Sequence, residues 1–208
     1  VPVVIVNQGV QHKIPRSAFE EHVTIIASEK RGLSNSRNLA LAHIPTQFVM
    51  LCDDDIELHP GCLSELTNNL HPEVALYFTP LTTTEGKAWR SNYAAKPFRF
   101  QGLTLQNRRR IHFINSMEQI LNREFLQAHN IRFDANFGAG SECFPMGEET
   151  LLSFSILKAG GSLEYLPIPT RIHPPFSTAS KLTPAKLDAI AAVHRRVFAP
   201  CGGAYHLL

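Results

Sequence analysis

The chain has 208 residues, of which 44% are hydrophobic and 18% are charged, and its formal net charge at pH 7 is +2. This length and composition predict a water-soluble globular protein of one domain, and so small a charge argues against nucleic acid as the main partner. No apolar run approaches the roughly 20 residues that span a bilayer. None of the cysteines (Cys52, Cys62, Cys143 and Cys201) has CxxC spacing, which predicts reduced thiols in a cytoplasmic protein.

The first eighty residues alternate between strand-like and helix-like stretches. Buried strands are predicted from the apolar runs at 1–6, 23–27 and 74–78. Helices are predicted behind Ser34, as an N-cap, and over 59–70. This alternation predicts an α/β fold with a mostly parallel sheet flanked by helices. Arg37 would lie in the first turn of its helix, where an anion bound to the free amide groups would favour its charge. A solvated arginine fits the pattern equally well.

The most informative stretch is an apolar run that leads into three aspartates. Phe48 to Cys52 predicts a strand buried on both faces, and ligands of such sheets bind beyond the carboxyl ends of the strands. If the chain stays extended, Asp53 and Asp55 point to the same side and Asp54 points away. Two charges about 4 Å apart repel by roughly 4 kcal/mol at an intermediate dielectric, and a divalent cation would remove that cost. An acidic turn is the alternative interpretation.

The stretch from Thr82 to Asn115 is rich in glycine, polar residues and cations, which predicts a functional loop region. Its triplet Arg108-Arg109-Arg110 is compatible with binding donor phosphates, a lipid-linked acceptor or an anionic membrane surface, and also with a solvated basic face. The spacing of apolar residues from Ser116 to His129 predicts a helix. The glycines of 133–141 predict a loop shaped for close backbone approach.

The last third contains a well-marked helix at 147–160 and a terminal helix at 185–198. Glu148 and Glu149 would occupy the first turn of the former, which is also where an ordinary stable helix places acidic residues. His173 closes a strand-like run, and it is either a ligand that faces a cleft or a hydrogen-bonded structural residue.

Together these segments resemble family 2 glycosyltransferases of the GT-A fold, of the kind that build bacterial capsule or lipopolysaccharide glycans. The matching segments, in family order, are Arg31–Asn38, the strand into Asp53–Asp55, Phe133–Gly140, Gly147–Glu149 and His173. The resemblance covers roughly Val3 to Lys181. It implies one domain over 1–208, with a nucleotide-sugar half at 1–95, an acceptor and catalytic half at 96–181, and a C-terminal helix at 182–208.

The resemblance implies a role for each matching residue. Asp53 and Asp55 match the family's DxD motif, which holds Mn²⁺ or Mg²⁺ on the donor diphosphate, and His173 becomes a third metal ligand. Glu149 matches the catalytic base, with Glu148 as the alternative. The implied donor-binding residues are Arg37, Asn38, Asn7, Gln8 and Asp54.

The implied reaction is an inverting transfer from a nucleotide-sugar, with UDP assumed, to a hydroxyl of a glycan or lipid-linked acceptor. It would take place in the cytoplasm, with peripheral contact to the inner face of the membrane as an option. A nucleotidyltransferase, which also uses a metal-bound carboxylate pair, is one alternative. A catalytically inactive GT-A relative that binds glycans or regulates is another.

The sequence departs from the family pattern at three points. The helix starts with Glu-Glu where the family usually has Glu-Asp. Asn7 or Gln8 stands where a base-contacting Asp often follows the second strand. The family order makes 23–27 the third strand and 1–6 the second, so the fold is predicted to be N-terminally incomplete, without its first strand.

Overall fold

The computed structural model describes residues 1–8, 21–174 and 182–199. Its strands are β1 (Val3–Gln8), β2 (Val23–Ser28), β3 (Phe48–Met50), β4 (Glu57–Leu58), β5 (Leu76–Phe78), β6 (Leu81–Thr83), β7 (Phe98–Gln101), β8 (Gln119–Asn122), β9 (Ser162–Tyr165) and β10 (Arg171–His173). Its α-helices are α1 (Leu33–His43), α2 (Cys62–Thr67), α3 (Leu105–Arg110), α4 (Arg123–Ala128), α5 (Glu148–Lys158) and α6 (Pro184–Phe198). Short 3₁₀ turns occupy Ile111–Phe113 and Ser116–Glu118.

The strands form three sheets, the largest with the order β3-β8-β5-β9-β7. The others are the pair β1-β2 and the sheet β4-β10-β6. The predicted α/β class is confirmed, but the sheets are mixed rather than mostly parallel. Strand β8 runs antiparallel to both β3 and β5, and β7 runs antiparallel to β9, whereas β5 and β9 are parallel. Within the described ranges β1 pairs with β2 alone and β3 with β8 alone. The absence of the family's first strand stays a prediction.

The five-stranded sheet separates two apolar clusters. Leu76 of β5 and Leu121 of β8 belong to the larger cluster, which includes the inner faces of α5 and α6. Tyr77 and Ile120, their neighbours along the same strands, belong to the smaller cluster beneath α2. Because side chains alternate along a strand, these two short strands are buried on both faces. The sheet is therefore an internal layer that fixes the loops at its ends.

The helix predicted over 116–129 is wrong in its first half. Residues 119–122 form the inner strand β8, and the helix α4 begins at Arg123. The spacing of Met117, Ile120, Leu121, Phe125 and Leu126 suggested one apolar face of a helix, but Ile120 and Leu121 face different clusters of the core. A short strand buried on both faces has no alternating pattern that would reveal it.

The arginine triplet lies in α3, within the stretch predicted to be loop. The prediction missed both β7 and α3. Arg108 is buried and donates hydrogen bonds to the carbonyl oxygens of Leu103 and Val197, the first at 3.0 Å. Arg110 lies over the rings of Phe98 and Phe100, and Arg109 is the one exposed member of the triplet. The triplet is therefore neither a solvated basic face nor a ready surface for anionic membranes.

Cys52, Cys62 and Cys143 are free thiols, and Cys201 lies outside the described residues. Among the helices of the described ranges, none has both the length and the apolar character needed to cross a membrane.

Candidate active site

The three aspartates lie on a loop rather than at the end of an extended strand. Strand β3 ends at Met50, and a turn at 54–55 follows, so the predicted alternation of Asp53 and Asp55 along a strand is wrong. The strand is also only half-buried, because one of its edges has no described partner. The side chains of Asp53 and Asp55 are 39% and 54% exposed, which leaves both carboxylates open to a ligand.

Arg37 joins this aspartate loop to the start of helix α5. Its Nη1 donates to Oε1 of Glu148 at 2.9 Å, and its Nη2 lies 3.6 Å from Oδ1 of Asp53. The guanidinium also stacks on the ring of Phe133 and is almost fully buried. Burial raises the pKa of Asp53, and the positive charge of Arg37 opposes that shift. One buried cation thus fixes the position of two carboxylates that are far apart in sequence.

The local geometry of helix α1 differs from the prediction in two respects. The helix begins at Leu33 after Gly32, so Arg37 lies in the second turn rather than the first. Ser34 is not the N-cap, and its hydroxyl instead donates to the carbonyl oxygen of Phe137 at 2.5 Å. The prediction failed because Gly32 adopts a φ of +106°, a conformation that glycine reaches without a capping side chain.

The glycine loop passes directly against Glu148, as the sequence predicts for a loop of close approach. Gly138 has a φ of +110°, and a Cβ atom there would lie 3.1 Å from Ser34 Oγ and 3.3 Å from Oε2 of Glu148. The missing side chain therefore leaves room for the Glu148 carboxylate beneath the loop.

Gly138→Ala should lower the free energy of unfolding by about 1–3 kcal/mol, because alanine is strained at this φ. It should also weaken any activity that depends on Glu148, since the added methyl group presses on that carboxylate. Gly86→Ala is the matched control, because Gly86 also has a positive φ but faces open space. Chemical denaturation and an activity assay on both variants check this prediction. Equal loss of activity in the two variants would contradict it.

Glu148 and Glu149 have different environments although they are neighbours. Glu148 is buried and ion-paired to Arg37. Glu149 is half-buried, and burial together with the negative charge of Glu148 raises its pKa to about 8. A carboxylate with a pKa near neutrality is suited to accept a proton in a reaction.

The pKa of Glu149 predicts that stability falls as the pH rises. Its folded-state value of about 8 lies above the ordinary 4.5, so the folded chain binds this proton more tightly than the unfolded chain. The stability that the proton contributes is complete below about pH 4.5 and is lost as the pH rises through about 8. Glu149→Gln removes this titration. Between about pH 5 and about pH 9 the wild type should therefore lose stability that the variant does not lose. The melting temperature of the variant should rise relative to that of the wild type over this range.

Thermal denaturation at both pH values tests this prediction. Glu124→Gln is the control, because Glu124 is the exposed second residue of α4, as Glu149 is the second residue of α5. Its melting-temperature difference should not change with pH. A difference for Glu149→Gln that is equally independent of pH would contradict the raised pKa.

His173 lies beside the aspartates with a defined ring orientation. Its Nδ1 lies 2.6 Å from the carbonyl oxygen of Pro174, which can only accept, so Nδ1 carries a proton. Its Nε2 faces Oδ1 of Asp55 at 3.7 Å, and the indole of Trp89 packs against the ring at 4.6 Å. A backbone carbonyl bonded to one ring nitrogen is the arrangement that prepares the other nitrogen to bind a metal.

The donor set fits a divalent cation that also binds a ligand's oxygens. Within the described ranges, no group of three or more His, Cys, Asp or Glu side chains has the arrangement of a complete metal site. One or two carboxylates with phosphate oxygens are sufficient for Mg²⁺, and Mn²⁺ accepts an imidazole as well. Oδ1 of Asp55 and Nε2 of His173 lie 3.7 Å apart and are available to such an ion, whereas Asp53, the other predicted ligand, is paired with Arg37.

Two of the other residues predicted to bind the donor, Asn38 and Gln8, instead form hydrogen bonds with the backbone of neighbouring loops. The amide of Asn38 exchanges two hydrogen bonds with the backbone of Phe133, at 2.9 and 3.0 Å. The amide of Gln8 does the same with Gly32, at 2.8 and 3.1 Å. Asn7 precedes Gln8 at the end of β1, and Asp54 is exposed in the aspartate turn. The two amides thus anchor the glycine loop and the start of α1.

Sequence reasoning missed a buried arginine next to the site. Arg171 is fully buried in β10 and donates to the hydroxyls of Thr79 and Thr170 and to the carbonyl oxygen of Gln119. It ties the end of β5 to β8, beside the loop that carries the aspartates. Nothing in its local sequence distinguishes it from a surface arginine.

Structural comparison identifies the class of fold. The chain is similar to TarS of S. aureus, residues 1–349, in complex with UDP-GlcNAc, with a TM-score of 0.72 and 15% identity over 99% of this chain and 59% of that chain. The same protein in complex with UDP gives 0.70 and 14% identity, over 99% of this chain and 57% of that one. Without a named ligand it gives 0.66 and 15%, over 95% and 62%. The chain thus spans about three fifths of the length of these structures, and the predicted GT-A fold is confirmed.

The sequence of the chain matches a family model. The model described as glycosyl transferase family 2 matches residues 3–137, and the chain belongs to that family. The predicted resemblance is thereby confirmed at the level of the family, whereas Gly147–Glu149 and His173 lie outside the matched residues. A comparison with curated protein sequences finds no match.

Proposed function

We propose that this protein transfers a sugar from a nucleotide-sugar, with UDP as its nucleotide, to a hydroxyl group of a glycan or lipid-linked acceptor, with inversion at the anomeric carbon. The observation that carries the proposal is the bridge from Glu148 through Arg37 to Asp53. It sets the carboxylates at the start of α5 beside the exposed aspartate loop. Membership of glycosyl transferase family 2 supports it, as does the likeness to TarS structures that contain UDP or UDP-GlcNAc.

In this proposal Glu149 is the general base. Its raised pKa lets it take the proton of the acceptor hydroxyl as that oxygen attacks the anomeric carbon. One such displacement inverts the anomeric centre. Glu148 is a positioning residue rather than the base, because its carboxylate is buried and already paired with Arg37. Asn38 and Gln8 hold the loops that carry these groups.

The aspartate loop would bind the diphosphate of the donor. Asp53, Asp55 and His173 would hold Mn²⁺ or Mg²⁺ there, and a bound ion would act as a Lewis acid that offsets the charge of the leaving nucleoside diphosphate. The Arg37 cation keeps Asp53 in position and limits its repulsion from Asp55. Cytoplasmic location, and contact of the acceptor with a membrane surface, belong to the proposal as well.

The identity of the released phosphate tests this function. The purified chain is incubated with UDP-sugars, Mn²⁺ and a panel of glycosides, and the products are followed by ³¹P NMR and mass spectrometry. The proposal expects UDP and a glycoside that has grown by one sugar of inverted anomeric configuration. A parallel incubation with UTP and sugar 1-phosphates that releases pyrophosphate would instead show a nucleotidyltransferase. Binding of UDP without turnover of any sugar donor would identify a binding protein.

A further inference from the structure

One neighbouring strand, β10, is connected to both ends of the aspartate loop, which covers residues 51–56 between β3 and β4. At its exit the loop continues into β4, and β4 pairs antiparallel with β10. The amide of His59, just beyond β4, donates to the carbonyl oxygen of Thr170 at 3.0 Å. The ring of His59 also lies 2.7 Å from the hydroxyl of Thr82 in β6, the other neighbour of β10. The exit of the loop is therefore fixed to the sheet that contains β10.

The entry of the loop is connected to β10 through the side chain of Arg171. The amide of Leu51 donates to the carbonyl oxygen of Gln119 at 3.3 Å, and Nη2 of Arg171 donates to the same oxygen at 2.8 Å. The thiol of Cys52, the next residue of the loop, lies beside the guanidinium. Burial lowers the pKa of Arg171, and Cys52 opposes that shift. One carbonyl oxygen thus joins the first residue of the loop to Arg171.

Arg171 is an unfavourable residue to bury at this position. It is fully buried, and among the described residues no carboxylate forms an ion pair with it and its Nε has no hydrogen-bond partner. Burial of a charge without an opposite charge lowers stability, and well-packed apolar residues often replace buried charges without loss. Stability of the core is therefore a poor reason for an arginine here, and a role in the neighbouring site is the better one.

Strand β10 also carries His173, two residues after Arg171. Residues two apart lie on the same face of a strand, and the side chains of both are buried. Nε2 of His173 lies 3.7 Å from Oδ1 of Asp55, so the position of β10 relative to the aspartate loop sets this distance. A displacement of about 1 Å at a reacting site can lower a rate about 10²-fold. The residue that joins β10 to the loop therefore controls the geometry of the site.

We propose that Arg171 is a positioning residue, which locks β10 to the entry of the aspartate loop and holds Asp55 and His173 at the separation at which they bind a cation. The planar guanidinium suits this task, because its Nη1 donates to the hydroxyls of Thr79 and Thr170 while its Nη2 donates to β8. The role in binding a nucleotide-sugar rests on the proposed function, whereas the fixing of the loop does not.

Hydrogen exchange of the ligand-free protein, measured well below its melting temperature, tests the fixing of the loop. Arg171→Lys keeps the charge but has a single nitrogen, which cannot replace all three hydrogen bonds. The amides of Leu51 and His59 should then exchange about tenfold faster relative to those of α5, the value of one lost hydrogen bond. Thr79→Val keeps the arginine but removes one of its acceptors, and it should give a smaller increase at the same two amides.

Arg108→Lys is the matched control. Arg108 is also a buried arginine with no ion pair among the described residues, and it donates to the carbonyl oxygens of Leu103 and Val197. It lies in α3, and neither of these two partners belongs to the aspartate loop or to β10. This variant should lose stability while the two loop amides exchange as in the wild type.

Calorimetry with UDP and Mn²⁺ on the same folded variants tests the consequence for binding. Arg171→Lys should bind UDP with Mn²⁺ about 10-fold to 100-fold more weakly, the usual effect of a residue that orients metal ligands. Arg108→Lys should keep the wild-type affinity. A purely structural role of Arg171 would lower the melting temperature and leave the affinity of the folded variant unchanged.

Two results would overturn the proposal: wild-type exchange at the two loop amides of Arg171→Lys, or wild-type affinity of that variant for UDP with Mn²⁺. If Arg171→Lys does not fold, Thr79→Val decides by the same two criteria. Absence of UDP binding to the wild type would instead refute the proposed function, and the exchange rates alone would then decide whether Arg171 fixes the loop.

Discussion

Glu149→Gln should lower the rate of sugar transfer by about 10²-fold to 10⁴-fold, the usual contribution of a general base. Glutamine keeps the size and hydrogen-bonding capacity of the side chain but cannot take a proton. The binding of UDP should stay unchanged, because Glu149 contacts neither the aspartate loop nor Arg37 in any described hydrogen bond. Single-turnover measurements with saturating donor separate the chemical step from binding.

Glu124→Gln again provides the control, since it removes the same charge from the same position of another helix. It should transfer sugar at the wild-type rate. Glu148→Gln should also lose stability, unlike Glu124→Gln, because among the described residues it leaves the buried Arg37 with Asp53 as its one remaining carboxylate partner. A Glu149→Gln enzyme with near-normal turnover would remove Glu149 from the role of base.

Asp55→Asn and Asp53→Asn should each lower transfer by more than about 10²-fold, since even residues that only orient metal ligands contribute 10-fold to 100-fold. The loss should come with a loss of cation-dependent nucleotide binding, because an amide is a much weaker ligand than a carboxylate. Asp53→Asn should also reduce thermal stability, since Asp53 is a partner of the buried Arg37. Among the described residues no arginine or lysine pairs with Asp55, so Asp55→Asn should affect binding alone.

Asp54→Asn is the control within the same loop. Asp54 is exposed and has no described partner in the Arg37 bridge, so the variant should retain most of its nucleotide affinity. Differential scanning fluorimetry with UDP, with and without Mn²⁺, compares the three variants in one experiment. Equal effects of all three would mean that the loop acts by its net charge rather than through two particular ligands.

The sequence predicts the second half of the fold better than the middle. Helix α5 was predicted because acids, an apolar face and Gly160 mark its start, body and end, and its observed bounds are Glu148–Lys158. Strand β8 was missed because Gln119–Asn122 is short and lies inside the sheet, so burial on both faces removes the alternating pattern. Strand β7 could have been found, since Phe98 and Phe100 alternate with Arg99 and Gln101.

The candidate site shows the same division between local and long-range information. The aspartates, the Glu-Glu pair and His173 were singled out from short local patterns and from their order along the chain, which resembles that of a family. The bridge by Arg37 was not foreseen as a contact between carboxylates, because its partners are 16 and 111 residues away. The full burial of Arg171 follows from packing alone.

Calorimetric titration of UDP, with and without Mn²⁺, into the wild type and Asp55→Asn tests the central claim most directly. The claim is that the aspartate loop after β3 binds a nucleoside diphosphate through a divalent cation. We expect saturable binding of UDP that requires Mn²⁺ in the wild type and disappears in Asp55→Asn. Absence of binding to the wild type, or binding that is independent of both Mn²⁺ and Asp55, would contradict the claim.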